Sequence, residues 1–218
     1  MEFRLPRQDE RSVIVGRTGS GKTQAAVWQL SLRDYDRKPW IVFDFKGDRL
    51  IADIPRTQEI SLSDAIPAKP GIYIARPLPH QREEVDDFLA RIWATENCGV
   101  YADEGYMLTG LKWFRECLTQ GRSKSIPMIV LSQRPRHLDR FVWSEADFFQ
   151  AFTLNLLDAR VTVNDWLPGY RDVKLPAFWS IWYSVKDDLT LKLKPVPEAD
   201  QILDTFKQRT RRGLRLVA

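Results

Sequence analysis

The segment GRTGSGKT, residues 16–23, constrains this chain more than any other part of it. Gly16, Arg17, Thr18, Gly19, Ser20, Gly21, Lys22 and Thr23 match a glycine, four residues, then Gly-Lys-Ser/Thr. Glycine reaches backbone angles with φ > 0, so such a loop can wrap closely around phosphate oxygens. Its amides, with those of a following helix N-terminus, then point at anionic charge. The context fits: the apolar run SVIV, Ser12–Val15, precedes the loop, and residues 22–32 read as a helix. In that setting Lys22 reaches the β- and γ-phosphates of a nucleotide, and Thr23 supplies a hydroxyl to Mg²⁺. ATP and Mg²⁺ are the expected cofactors.

The rest of the chain alternates apolar runs with helical patterns, which predicts an α/β fold with a mainly parallel central sheet flanked by helices. Further strands are expected at residues 40–45 (WIVFDF), Gly71–Ala75, 100–102, 127–132 and 148–154. Helices are expected at 81–95, where Val85, Phe88, Leu89 and Ile92 recur at helical spacing, and at 108–120 and 157–166. Residues 178–185 and Leu189–Leu193 flank Lys186-Asp187-Asp188 and read as an antiparallel hairpin at the C-terminal sheet edge. Residues 1–205 form one domain on this reading. Residues 206–218 form a basic C-terminal tail without a core pattern.

Hydrolysis needs more than a phosphate loop. It needs a carboxylate on the metal side and a base for the attacking water. The segment CGVYADE offers both at a strand end. Asp103 is the candidate metal-side residue, together with Thr23. Glu104, one residue on, is the candidate base. Gln133, at the end of the apolar run PMIVLS, is placed to sense the γ-phosphate.

Several function classes are disfavoured. Cys98 and Cys117 are far apart and make neither a zinc pattern nor a disulfide framework, which favours a reducing compartment. His80 and His137 show no metal-ligand spacing. No apolar run approaches a membrane span, and the first ten residues lack the apolar stretch of a secretion signal. The expectation is a protein neither secreted nor integral to a membrane. With 33 basic and 29 acidic residues, any nucleic-acid surface must be local.

The motifs resemble those of the FtsK–HerA superfamily of ring-forming DNA pumps, which implies a P-loop NTPase fold of the RecA/FtsK type. The phosphate loop, the Asp103-Glu104 pair and Gln133 carry the likeness first. More specific is Gly121-Arg122-Ser123-Lys124-Ser125-Ile126, then the strand, then Ser132-Gln133-Arg134-Pro135. The similarity runs on through Phe152 and Leu154 to Asp158-Ala159-Arg160. Asp44-Phe45-Lys46-Gly47-Asp48 looks like the Asp-x-Lys-Gly segment of conjugative members. A bare ATPase core of this length is similar to the genome-packaging ATPases of membrane-containing icosahedral viruses, the tectivirus group.

That resemblance implies an ATPase that pumps double-stranded DNA into a preformed capsid. It implies a homo-oligomeric ring of five or six subunits, in the host cytoplasm or at a virion packaging vertex, with capsid or virion membrane proteins as further partners. It also implies an arginine that reaches a neighbour's γ-phosphate; Arg122 is the first choice and Arg160 the second. DNA contacts, to phosphates only, are sought among Arg136, Arg140, Lys112 and Arg115 and in the tail at Arg209, Arg211, Arg212 and Arg215. Any of these can equally be a solvated charge. Other readings stay open: an assembly or secretion ATPase acting on protein or single-stranded DNA, a small-molecule kinase, or a nucleotide-gated scaffold.

Overall fold

In Ser12–Val15, Pro39–Asp44, Gly99–Asp103, Met128–Ser132 and Phe148–Ala151 every residue is buried. Such runs have no face to give to water, and strands covered on both sides belong to parallel sheets layered with helices. The computed structural model describes residues 3–216, with side chains as far as residue 209. In chain order it runs β1 Ser12–Val15, α1 Lys22–Ser31, β2 Pro39–Asp44, α2 Arg49–Ala52, β3 Gln58–Glu59, β4 Gly71–Ala75, α3 Arg82–Thr95 and β5 Gly99–Asp103. It continues with α4 Lys112–Gln120, β6 Met128–Ser132, α5 Arg140–Ser144, β7 Phe148–Ala151, α6 Leu157–Asn164, β8 Ser180–Ser184, β9 Leu189–Leu193 and α7 Ala199–Leu216.

Among the described residues the strands form one sheet in the order β3-β4-β2-β5-β6-β1-β7-β8-β9. The pairs from β3 to β7 are parallel, with Val15 beside both Ser132 and Ala151 and Asp44 beside Asp103. β8 turns back antiparallel to β7, and β9 antiparallel to β8, as the hairpin pattern predicts.

Alternate strand residues feed two core layers. On one face Ile41, Phe43, Val100 and Val130 meet Phe88, Leu89 and Ile92 of α3 and Phe114 of α4. On the other, Ile14, Val42, Tyr101 and Leu131 meet Ala25, Ala26 and Leu30 of α1 and Ile202 and Phe206 of α7. A buried polar chain ties α1 to the sheet. Ser12 Oγ donates to Gln29 Oε1 at 2.8 Å, Gln29 Nε2 to Gln150 Oε1 at 3.0 Å, and Gln150 Nε2 to Ser180 Oγ at 3.0 Å. Each buried amide finds a partner, which such groups need to avoid a desolvation loss.

The structure differs from the expectations at several elements. The helix expected at 108–120 begins at Lys112, after a separate 3₁₀ turn at Gly105–Leu108. β7 stops at Ala151 rather than at residue 154, because the chain there leaves the sheet to support the phosphate loop. The basic stretch read as lacking a core pattern is helical: α7 crosses the division at 205/206 without a break. Ile202 and Phe206 are four apart, so they fall on one helix face and are buried there.

Candidate active site

The parallel pairing sets the C-terminal ends of β1, β2, β5, β6 and β7 along one edge of the sheet, where open α/β sheets bind ligands. The phosphate loop leaves β1 there and hangs between two neighbouring strands. The Gly16 amide donates to the Ser132 carbonyl at 3.3 Å, and the Arg17 amide to the Thr153 carbonyl at 3.0 Å. A Cβ on Gly16 would lie 2.5 Å from Ser20 Oγ and 2.7 Å from Phe152 Cβ, so only glycine fits. Gly19 and Gly21 take φ of 73° and 95°, in the left-handed region that side chains resist. Gly21 caps α1 and Lys22 and Thr23 are its first two residues, so the free amides of that helix face the loop.

The other chemistry arrives from β5 and β6. Asp103 ends β5, Glu104 follows it, and each is only 1% exposed. β6 lies between β1 and β5 and delivers Gln133 to the same place. Gln133 Oε1 accepts from Thr18 Oγ1 of the phosphate loop at 2.6 Å, and the Gln133 amide donates to Glu104 Oε2 at 3.2 Å. Lys22 Nζ stands 4.0 Å from Glu104 Oε1. Phosphate loop, candidate base and candidate sensor are therefore in one connected cluster.

Burial dominates the electrostatics here. It pushes the Asp103 carboxyl up to about 7, reinforced by the charge of Glu104. It also lowers the Lys22 ammonium, against the pull of Glu104. Two buried polar atoms at this spot, Asp103 Oδ1 and Ser20 Oγ, have no hydrogen-bond partner among the described residues. The Thr23 hydroxyl and the Asp103 carboxylate are hard oxygen donors of the kind Mg²⁺ takes, with phosphates and water completing its shell. The residues present thus fit a magnesium nucleotide. Among the described residues no group of three or more His, Cys, Asp or Glu could hold a metal unaided.

Two features here escape a sequence reading. Lys46, in the loop after β2, contacts Glu104 Oε1 directly. It belongs to the Asp-x-Lys-Gly segment already noted, but that pattern does not say that the lysine reaches Glu104. Beside Gly21, the side chains of Gln24, Phe152, Phe178, Pro195 and Val196 line a cleft that extends the loop. Phe178 holds φ of 62° there, with 55% of its surface exposed. These residues lie far apart in the chain, so only the fold brings them together.

The two candidate arginines occupy opposite edges of the sheet. Arg122 precedes β6, at the edge away from the phosphate loop, where its Nη2 donates to Asp147 Oδ1 at 2.7 Å. Asp147 Oδ2 in turn accepts from the Arg11 amide at 2.8 Å. Arg160, on α6, lies on the phosphate-loop side, and its Nη2 donates to the Val173 carbonyl at 2.8 Å. Of the basic residues considered for DNA, Arg136 pairs with Asp158 and Arg115 with Asp139, Lys112 lies over the Trp113 ring, and Arg140 is exposed. Arg209 is tied to Asp36 and to the carbonyls of Ser31 and Arg33. The side chains of Arg211, Arg212 and Arg215 lie outside the described residues.

No family model matches the chain. It is 44% identical over 218 aligned residues to the DNA packaging ATPase P9 of Enterobacteria phage PRD1, covering 94% of this chain and 96% of that protein. Among solved structures it is similar to the genome packaging NTPase B204 of Sulfolobus turreted icosahedral virus 2, in complex with ATP-gammaS. There the TM-score is 0.70 at 18% identity, over 87% of this chain and 99% of that one. It is also similar to ATPases 2 and 3 of EssC from Geobacillus thermodenitrificans. There the TM-score is 0.65 at 13% identity, over 96% of this chain and 44% of that one. At such identities the structural likenesses establish the P-loop NTPase fold alone.

Proposed function

This chain belongs to the family of the DNA packaging ATPase P9 of Enterobacteria phage PRD1, and on that premise we propose that it hydrolyses ATP to drive double-stranded DNA into a viral capsid. One observation of the site carries the hydrolytic part: a buried carboxylate, Glu104, stands 4.0 Å from the phosphate-loop lysine, Lys22. A scaffold that only bound nucleotide would have no use for a buried base at that position. The DNA part rests on the relative, whose likeness spans nearly both chains.

The loop amides and Lys22 would hold the triphosphate, and Thr23 and Asp103 would hold Mg²⁺. The metal, when bound, neutralises charge on the phosphate oxygens. Glu104 accepts a proton from the attacking water. The water oxygen bonds to the γ-phosphorus as the bridging oxygen departs with ADP. Gln133, bonded to Thr18, is placed to report whether the γ-phosphate is present. The aromatic walls of Phe152 and Phe178 suit the flat face of a purine.

Arg122 completes this site in trans. It lies at the sheet edge away from its own phosphate loop, so this role calls for a neighbouring subunit, as in a ring of five or six copies. A guanidinium spreads its charge over the transferring phosphoryl group, an effect worth roughly 10³ to 10⁵ in rate in P-loop enzymes. DNA then passes through the ring on phosphate contacts, for which the exposed Arg140, Arg136 and Lys112 are candidates. The working place is the host cytoplasm and the virion packaging vertex, beside capsid or virion membrane proteins. Among the described residues no helix is long and apolar enough to cross a membrane.

ATP binding and steady-state turnover, measured with and without double-stranded DNA, test this. Lys22→Ala should lose nucleotide affinity. Glu104→Gln should keep it while turnover falls about 10² to 10⁴-fold, the usual contribution of a positioned base. Double-stranded DNA should raise the wild-type rate. A Glu104→Gln variant at the wild-type rate would remove Glu104 from the chemistry. Stimulation by single-stranded DNA alone would point to an assembly or secretion ATPase.

A further inference from the structure

The candidate base is held in an unusual way. Glu104 has φ of 64° and ψ of 59°, a left-handed conformation that a residue with a side chain adopts only when its surroundings hold it there. Its side chain is only 1% exposed and lies beside a second buried carboxylate, Asp103. Three groups hold the Glu104 carboxylate. The Gln133 amide donates to Oε2 at 3.2 Å, Lys22 stands 4.0 Å from Oε1, and Lys46 contacts Oε1 directly.

These restraints differ in what they must do during turnover. Lys22 is required at the β- and γ-phosphates, so its interaction with Glu104 weakens once nucleotide is bound. The Gln133 amide fixes one oxygen and leaves the carboxylate free to swing about it. Lys46 is the cation that can stay. It projects from the loop after β2, whose ends are fixed: Asp44 Oδ1 accepts from the Asp48 amide at 3.0 Å, and Asp48 Oδ1 accepts from the Leu50 amide at 2.9 Å. Gly47, with φ of 66° and open space where a Cβ would stand, lets that loop turn back toward β5.

We infer that Lys46 is a positioning residue for hydrolysis, holding the Glu104 carboxylate toward the attacking water through a direct ion pair. The inference rests on the reading of Glu104 as the base. It assigns a task to the Asp44-Phe45-Lys46-Gly47-Asp48 segment and joins the end of β2 to the ends of β5 and β6 at the reacting centre. Lys46 lies outside the phosphate loop, so its effect belongs on the chemical step and not on ATP affinity.

The experiment compares full-length wild type, Lys46→Met, Lys46→Arg, Glu104→Gln and the Lys46→Met/Glu104→Gln double variant. It measures ATP affinity by direct titration, and kcat and KM with double-stranded DNA present. Lys46→Met should bind ATP as wild type does, which also reports that it is folded, with kcat lowered about 10-fold or more and KM little changed. Lys46→Arg should recover much of the rate, since a cation again reaches the carboxylate. In the Glu104→Gln background Lys46→Met should add little, because residues acting as one unit are not additive. An unchanged kcat in Lys46→Met would overturn the inference. So would lost ATP affinity, or an equal further loss in the Glu104→Gln background. A Glu104→Gln variant at full activity would instead remove the base itself, and the role of Lys46 with it, a result separable from these because it appears in the single variant without any change at Lys46.

Discussion

Asp103 and Glu104 are sequence neighbours and almost wholly buried, yet they meet different surroundings. Glu104 has Lys46 against it, whereas Asp103 Oδ1 has no partner among the described residues. The folded chain therefore raises the Asp103 carboxyl from 3.8 to about 7, through burial and the adjoining charge. A carboxyl raised on folding binds its proton more tightly in the folded state, so the metal-free fold loses stability as pH climbs from 3.8 through about 7. Asp103→Asn removes that loss. In chelator at about pH 8 it should be more stable than wild type by about 1 to 3 kcal/mol, while failing to hydrolyse ATP with Mg²⁺. Denaturant unfolding at acid and alkaline pH checks this; a wild type that gains stability with rising pH would contradict it. The phosphate loop, Asp103, Glu104 and Gln133 stood out in the sequence as candidates because phosphate chemistry calls for those types at strand ends, and the fold brings them together. The contact of Lys46 with Glu104 was not legible, although its segment stood out, since it comes from an approach between two loops 58 residues apart.

At the scale of elements, the central strands were legible because each is apolar on both faces, and the turn Lys186-Asp187-Asp188 marked the hairpin. What escaped was set by tertiary contact. β3 is two exposed residues that become a strand only by pairing with β4. The second half of α7 read as a basic tail because all its charges are basic and its sequence shows no core pattern. Its Phe206 is 1% exposed and lies 5.5 Å, ring to ring, from Tyr35. Phe206→Ala should therefore destabilise the fold by about 3 to 5 kcal/mol, the range for large aromatics removed from a core. A thermal or denaturant melt measures it. A loss under about 1 kcal/mol would mean that α7 does not pack on α1 in solution.

For the whole molecule, the proposed ring follows from where the sheet sets the phosphate loop and Arg122. Parallel strands put the phosphate loop at one edge and Arg122 at the other, beside Asp147, so on the proposed reading Arg122 acts on a neighbouring copy's nucleotide. Arg122→Ala should bind ATP normally and hydrolyse it poorly, and so should not resemble Lys22→Ala, which fails to bind. Mixed with Lys22→Ala, it should regain part of the wild-type rate, because intact loops and intact arginines then meet at some interfaces. No recovery would move the trans role from Arg122 to Arg160 or remove it. The resemblance gave Arg122 its trans role; its place at the sheet edge away from its own phosphate loop came only from the structure. The most direct test of the account is the ATPase rate per subunit against protein concentration, with and without double-stranded DNA. A site shared between copies of a DNA motor predicts a rate that climbs with concentration and rises further with DNA. A rate flat in concentration and indifferent to DNA would contradict it, leaving a self-contained ATP site without a pump.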